Sequence, residues 1–384
     1  MRIAIINLTG GGMSGGYKKY LSNVIPRMAS NPAVEALLCA SPPCLNVHEW
    51  FDEPLSNVEF VNCKPFRFMR HSSDQDLKQR LEKFSPDVIF LPIERFFKFN
   101  KVPIVNMVRN MEPLVFPNGS NPISERVRNW SRIWEVRKAV NKAGRVIAVS
   151  KFVKDFLIVR WDIFSDRIGE VYHGIEDLSQ KESNVVRPSS IPEELGGKFI
   201  FTAGSIRPAR GLEDVLYALN HLSVKSSNIS GLVIAGDTTS AMMRYRKKLE
   251  AIINTYNLSS RVYWAGNLNE KEMTWCYQNC FAFVMTSRVE SFGMIAGEAM
   301  AHGCICISAD NPCLPEIFGD AAIFYTPYSG EDLANKVMKV LSWDSQKRAL
   351  ASETARQRAS EFSWDRTAEQ TVNELMIAAG MKNQ

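Results

Sequence analysis

Two glutamates eight positions apart bracket the segment Glu290-Ser-Phe-Gly-Met-Ile-Ala-Gly-Glu298. The stretch before it, Phe281-Ala-Phe-Val-Met285, has the composition of a buried strand, and Met294 to Ala301 read as a helix. Glu290 then lies in the loop and Glu298 inside the helix. Between them, the backbone N–H groups of Ser291, Phe292, Gly293 and Met294 have no acceptor within the helix and point at an anion. Carboxylates repel a phosphate, so their useful partners are hydroxyls. An anion with a polyol on either side describes a nucleotide diphosphate sugar. Two glutamates at this spacing also arise by chance in helical proteins; strand, loop, Phe-Gly, helix and the next strand after Gly303 together carry the reading.

Two further turns bear on an anion. Phe201-Thr-Ala-Gly-Ser-Ile-Arg-Pro-Ala-Arg-Gly211 joins a strand to a helix and holds Arg207 and Arg210, cations able to bond phosphate oxygens in pairs. Solvated arginines in a polar loop are the plainer alternative. Gly10-Gly-Gly-Met-Ser-Gly15 fits the G-x-G-x-x-G pattern of dinucleotide sites. That fingerprint also needs an acidic residue at the end of the second strand. Here the strand Val34–Ala40 runs into Ser41-Pro-Pro and its Glu35 stands at the opposite end, which argues against a dinucleotide. A turn without a ligand stays open.

The elements that position these residues alternate strand and helix, the pattern of parallel sheets covered on both faces. Strands are expected at Arg2–Asn7, Val34–Ala40, Val58–Asn62, Val88–Pro92, Ile104–Val108, Val146–Val149 and Gly169–Tyr172, with helices at Gly16–Ser30 and Arg126–Lys142. The polar stretch Asp177–Gly197, with Pro188, Pro192 and a Gly-Gly pair, reads as a linker. A second series follows, with strands at Phe199–Ala203, Gly231–Ala235, Val262–Ala265, Phe281–Met285, Cys304–Ser308 and Ala322–Tyr325. Its helices are Gly211–Leu222, Met242–Tyr256, Lys271–Asn279 and Asp332–Leu341. The expectation is an α/β chain of two tandem Rossmann-like, doubly wound domains, 1–186 and 187–363, whose strand carboxyl ends face a central cleft.

Length and composition agree. A chain of 384 residues exceeds one ordinary core, and 45% hydrophobic with 23% charged residues is a globular balance. No apolar run approaches a membrane span, and Met1-Arg-Ile-Ala-Ile-Ile reads as a first strand rather than a signal peptide, so the expected location is the cytoplasm. The cysteines are expected as reduced core thiols. Cys276 and Cys280 stand one helical turn apart, with no second Cys/His pair to complete a zinc site.

The E-x7-E segment with its S-F-G turn, the downstream Glu298-Ala-Met-Ala-His-Gly-Cys-Ile-Cys-Ile-Ser308 and Pro315-Glu-Ile-Phe-Gly-Asp320 together resemble the large family of retaining, GT-B-type glycosyltransferases related to sucrose synthase and bacterial mannosyltransferases. The likeness is dense over residues 199 to 330 and loose over the first 180. It implies transfer of a hexose from a nucleotide-diphosphate sugar with retention of configuration, without metal or other cofactor. It also implies that Glu290 holds sugar hydroxyls, that Glu298 holds the ribose diol, and that Gly15 and Gly16 let donor and acceptor approach the backbone. Ser205, Arg207 and Arg210, with Ser291 to Met294, would meet the diphosphate. Gly236, Asp237, Trp264, Gly266, Asn267 and Leu268 fall where the family lodges the base. The chain departs from the family twice. Ser205 replaces an expected Arg, with Arg207 two residues later and Arg210 in place of a Lys. Arg109 and Asn110 stand where a first-domain His is usual, and the resemblance implies that Asn110 or Arg109 takes its positioning role. His173 reads as a turn residue and His302 as a helix end. The resemblance further implies that 364–384 forms a helix returning to the first domain, and that a hinge closes the cleft.

The acceptor is hinted at by charge. Of the net +5, much is concentrated in Glu125–Arg145, with seven Lys/Arg against two Glu and Trp130, Ile133 and Trp134 interleaved. Lys64–Arg70 and Glu94–Lys101 repeat the mixture. Residues 126–145 are therefore expected to contact an anionic membrane peripherally at the inner face, as suits a lipid-linked glycan or lipopolysaccharide-type acceptor. A solvated basic helix with its Trp face on the core is the alternative. No segment resembles a nucleic-acid-binding module, and nothing sets the oligomeric state. A sugar-nucleotide epimerase or phosphorylase and a non-enzymatic sugar-nucleotide sensor share much of this pattern.

Overall fold

The computed structural model describes residues 1–10, 15–66, 74–116, 121–176, 178, 185–224 and 228–381. Gly11 to Ser14 of the glycine-rich turn, 67–70 of the second basic–aromatic segment, 177 and 179–184 of the expected linker, and 382–384 of the last expected helix lie outside them. The chain divides into two compact units. The first comprises residues 1–111, 130–174 and 362–384; the second comprises 112–129 and 175–361. Residues 112–129, expected with the first half, thus group with the second.

Seven parallel strands build the first unit: β1 (Arg2–Ile6), β2 (Ala36–Ser41), β3 (Val58–Asn62), β4 (Val88–Leu91), β5 (Ile104–Val108), β6 (Arg145–Ala148) and β7 (Ile168–Glu170). Their order is β3-β2-β1-β4-β5-β6-β7. Ile3 to Ile6 and Val88 to Leu91 are buried to the last residue, because helices cover both faces and neither side of the strand meets water. Glu35 stands just ahead of β2, paired with Arg2 at 3.1 Å, at the end opposite the strand carboxyl ends.

The second unit has six parallel strands: β8 (Phe199–Ala203), β9 (Gly231–Ala235), β10 (Val262–Gly266), β11 (Ala282–Met285), β12 (Cys306–Ala309) and β13 (Ala322–Tyr325), ordered β10-β9-β8-β11-β12-β13. Leu216, Leu219, Leu249, Val284, Ile307 and Val337 lie in its main core, between sheet and helices. Thiols are free throughout, and Cys39, Cys63, Cys276, Cys304, Cys306 and Cys313 are buried.

The helix Trp364–Ala378 belongs to the first unit. Ser363 caps it, and Trp364, Thr367, Ala368, Thr371, Val372 and Leu375 are buried along one side. It packs on the helix Gly15–Ala29, with Arg27 bonded to Asp365 at 2.6 Å and Thr367 Oγ1 donating to the Tyr172 carbonyl at 2.8 Å. Arg145 of β6 reaches Glu374 on the same helix. Among the described residues no helix is long and apolar enough to cross a membrane.

Candidate active site

The expected donor residues of the second unit converge on two loops at the carboxyl ends of β8 and β11. The helix after β11 spans Met294–Ala301, and Gly293 precedes it at φ +84°, a left-handed turn that a side chain would strain. That turn lets the chain enter the helix with no capping side chain, so its first N–H groups face outward beside Glu290. Phe292 is buried, anchoring the turn from below, and only its backbone remains to face a ligand.

Arg210 arrives from the β8 loop. Its Nη1 donates to Glu290 Oε1 at 2.7 Å and to Ser287 Oγ at 2.8 Å, and Ser287 Oγ donates to the same Glu290 oxygen at 2.9 Å. The Glu290 carboxylate is thereby oriented by a charge-assisted bond and a hydroxyl. Arg207 is placed differently: its Nη1 bonds Glu112, and its backbone is extended at the entry to the short turn Pro208–Arg210. The two arginines therefore have separate carboxylate partners. Ser205, ahead of both in the loop, is exposed.

Glu298 accepts a hydrogen bond from Tyr277 Oη at 3.2 Å. Burial, with Glu298 adding, pushes the Tyr277 phenol well up, so it stays protonated and donates. The Tyr277 ring stacks on His302, whose Nδ1 lies 2.9 Å from the Glu298 carbonyl at the helix end.

The expected base-pocket glycines, Gly236 and Gly266, lie beside Gly204 at the ends of neighbouring strands. Gly204, Gly236 and Gly266 end β8, β9 and β10 at φ +123°, +128° and +68°. A Cβ on Gly236 would stand 2.1 Å from the Gly204 carbonyl oxygen, and one on Gly204 would stand 2.5 Å from Arg210 Nη2. The three strand ends thus form a glycine shelf without Cβ atoms, its Gly204 edge covered by Arg210. Asp237 and Asn267 are bonded to each other beyond it, both exposed, and Leu268 follows, half-buried. Trp264 serves packing: its ring lies 3.3 Å from the Arg246 guanidinium and joins the unit's core.

Gly15, Gly16, Arg109 and Asn110 belong to the first unit and are described there alone. Gly15 opens its helix, exposed, and Gly16 follows it. Arg109 and Asn110 follow β5, and both backbone N–H groups donate to one Glu94 oxygen, Asn110 at 2.6 Å. The Arg109 guanidinium covers the Tyr17 ring at 3.7 Å. His173 is buried against Tyr20 and Trp364, with ring centroids 5.0 and 6.5 Å away. Burial, with Arg109 adding, pushes its pKa down from 6.5 to about 3. It is therefore neutral when folded, while the unfolded chain takes up a proton below pH 6.5. The stability tied to its neutrality is complete above that pH and is lost as pH falls toward 3. Urea midpoints are expected to drop across this window, and His173→Leu to flatten the drop; equal slopes in both proteins would contradict the assignment.

The family described as glycosyl transferases group 1 matches residues 187–358, and that described as glycosyltransferase family 4 matches residues 15–177. The chain carries a group 1 glycosyltransferase domain behind a family 4-type glycosyltransferase domain. Among curated relatives, the serotype-specific mannosyltransferase WbdA of Escherichia coli is 25% identical over 235 residues, which is 59% of this chain and 28% of WbdA. The chain therefore spans little more than a quarter of that relative. Anabaena HepE, solved in complex with UDP-glucose, superposes with a TM-score of 0.72 at 18% identity over 98% of this chain and 100% of its own. WaaG, a glycosyltransferase involved in lipopolysaccharide biosynthesis, does so with a TM-score of 0.68 at 15% identity over 98% and 99%. At these identities the likeness establishes the GT-B fold.

In this glycosyltransferase fold, several residues beside the expected ones emerge only in three dimensions. Ser287 completes the Arg210–Glu290 cluster, Tyr277 holds Glu298, Glu112 holds Arg207, and Glu94 fixes the Arg109–Asn110 turn. The Ser287 hydroxyl had a local signal, three residues before Glu290 in the same loop. Among the described residues no group of three or more His, Cys, Asp or Glu side chains is placed to hold a metal ion.

Proposed function

We propose that the chain transfers a hexose from a nucleotide-diphosphate sugar to a glycan acceptor with retention of configuration, in cell-surface polysaccharide or lipopolysaccharide synthesis, and that it does so without a metal or other cofactor. The observation that carries this reading is the Arg210–Ser287–Glu290 cluster beside the uncapped start of the helix Met294–Ala301. Breaking a sugar–phosphate bond leaves an oxocarbenium-like sugar and a diphosphate with added negative charge. Arg210, the helix N–H groups and the helix dipole are fixed donors for that charge and need no reorganisation when it develops. Glu290 accepts from sugar hydroxyls, and Glu298, steadied by Tyr277, from the ribose diol. The base lies on the glycine shelf near Asp237, Gly266, Asn267 and Leu268. Arg109 and Asn110, held by Glu94, position the reacting groups from the first domain.

The mannosyltransferase relatives and a fold shared with a UDP-glucose complex support this donor class. The test is incubation with UDP-, GDP-, ADP- and dTDP-sugars, with product NMR reading the anomeric configuration. Hydrolysis or transfer from at least one donor is expected. Turnover of none defeats the enzyme reading; epimerised donor, or sugar 1-phosphate formed with inorganic phosphate, points to the other enzyme classes.

The acceptor reading rests on the helix Ile123–Lys142. Ile123, Val127, Trp130 and Trp134 are 77%, 66%, 76% and 54% exposed and share one side at helical spacing. Arg126 and Arg137 border the stripe on one side and Lys138 on the other, with Lys138 Nζ 5.3 Å from the Trp134 ring. An apolar face between cations suits an anionic bilayer, and hence a lipid-linked acceptor at the inner face of the membrane. Replacing both Trp130 and Trp134 by alanine is expected to weaken flotation with phosphatidylglycerol vesicles about tenfold or more. Equal flotation of variant and parent would assign this face elsewhere.

A further inference from the structure

Beneath the Arg210–Glu290 cluster lies an ion pair that the transfer chemistry does not use. Arg288, two residues before Glu290, bonds Asp214 through both Nη atoms at 2.6 and 2.7 Å, and the two side chains are 5% and 2% exposed. Tyr325 Oη and the Tyr328 N–H also donate to Asp214 Oδ2, at 2.9 and 3.1 Å, while the Tyr328 ring faces the guanidinium at 3.7 Å. Both carboxylate oxygens and both guanidinium Nη atoms are therefore partnered, as a buried pair requires in order to persist.

The pair joins the two loops that carry the donor residues. Asp214 lies in the first turn of the helix Glu213–Val224, directly after the Arg210 loop, whereas Arg288 is in the Glu290 loop. Above the pair, the Arg288 N–H donates to the Ala209 carbonyl at 2.8 Å and Thr286 Oγ1 to the Arg210 carbonyl at 2.6 Å. Gly211, at φ +65°, lets the loops meet: a Cβ there would stand 2.4 Å from the Thr286 oxygen and 2.8 Å from Arg288 Cζ. Each of these contacts joins the loop that carries Arg210 to the loop that carries Glu290.

We propose that Asp214 and Arg288 are a positioning pair that locks the cationic loop and the carboxylate loop into one body, so that diphosphate and sugar are gripped in fixed relation. The proposal rests on the donor reading above. Arg288→Lys keeps the charge but supplies one bond in place of two and no planar face for Tyr328. At a temperature where parent and variant are both folded, kcat is expected to fall about tenfold or more, with donor KM and the Kd of UDP or GDP within about threefold, since misplacement acts on the reacting geometry. Amide exchange is expected to rise together in residues 205–211 and 286–290, with β9 and β12 unchanged. An unchanged kcat in the folded variant overturns the proposal. If the parent turns over no donor, the transfer reading fails and exchange decides alone: a joint rise in the two loops upholds the lock, and no rise overturns it.

Discussion

Arg210→Ala is expected to lower kcat/KM for the nucleotide-sugar donor by about 10²–10³-fold. The guanidinium is 14% exposed, bonded to Glu290 and Ser287, and laid against Gly204, whose missing Cβ makes room for it. It stands at the strand carboxyl ends, where its charge is shielded from water and, on the proposed donor reading, acts on the diphosphate at close range. Its loss removes a preorganised cation from the leaving group and leaves Glu290 without its counter-charge. Arg210→Lys should recover part of the loss, because charge returns without the paired donors. Steady-state kinetics with the preferred donor checks this, and a change below threefold would remove Arg210 from the reaction. Arg207 provides the contrast, being engaged by Glu112. A donor affinity unchanged by Arg207→Ala would show that Arg207 does not replace the arginine missing at Ser205.

Glu290→Gln is expected to reduce kcat by about 10²-fold or more while leaving UDP or GDP affinity within about threefold. The amide fills the same volume, so the loop keeps its course through Arg288 and the Asn311 bond to the Ser287 carbonyl. What changes is one oxygen's charge and acceptor capacity. Glu290 faces Arg210 and Ser287, whereas the nucleoside end is assigned to Glu298 and the glycine shelf. A kcat effect without a nucleotide-affinity effect therefore places Glu290 on the sugar. Calorimetric titration with the free nucleotide, beside turnover with the sugar donor, separates the two. Loss of nucleotide binding in Glu290→Gln would move the residue to the other end of the ligand.

The architecture was readable because the strands of a doubly covered sheet are short apolar runs punctuated by glycine and proline. Phe199–Ala203 and Gly231–Ala235 were legible to the residue, and the helix Met294–Ala301 to both ends. The Glu290 and Glu298 positions were legible because loop and helix are local. Pairings across the chain were not: Arg288 meets Asp214 from 74 residues away and Arg207 meets Glu112 from 95. No periodicity marks such partners; each is an ordinary charged residue until the sheet brings strand ends together. Helix Ile123–Lys142 shows the same limit differently. Trp130, Ile133 and Trp134 are neighbours in sequence, but 100° per residue turns Ile133 aside and aligns Ile123 and Val127 with the two tryptophans.

The last helix has a consequence for how the protein is made. The first unit opens the chain with β1, yet Trp364, Val372 and Leu375 are buried in its core, and these residues are translated after the second unit. The run from Ile175 to Glu361 is synthesised between them and the rest of the first unit. On the ribosome, where domains ordinarily mature in order of synthesis, the nascent N-terminal unit waits, with Tyr20 and His173 uncovered, while the later unit acquires its structure. A stalled or truncated message would release a chain folded in its second part and unfinished in its first, a ready client for chaperones and proteases.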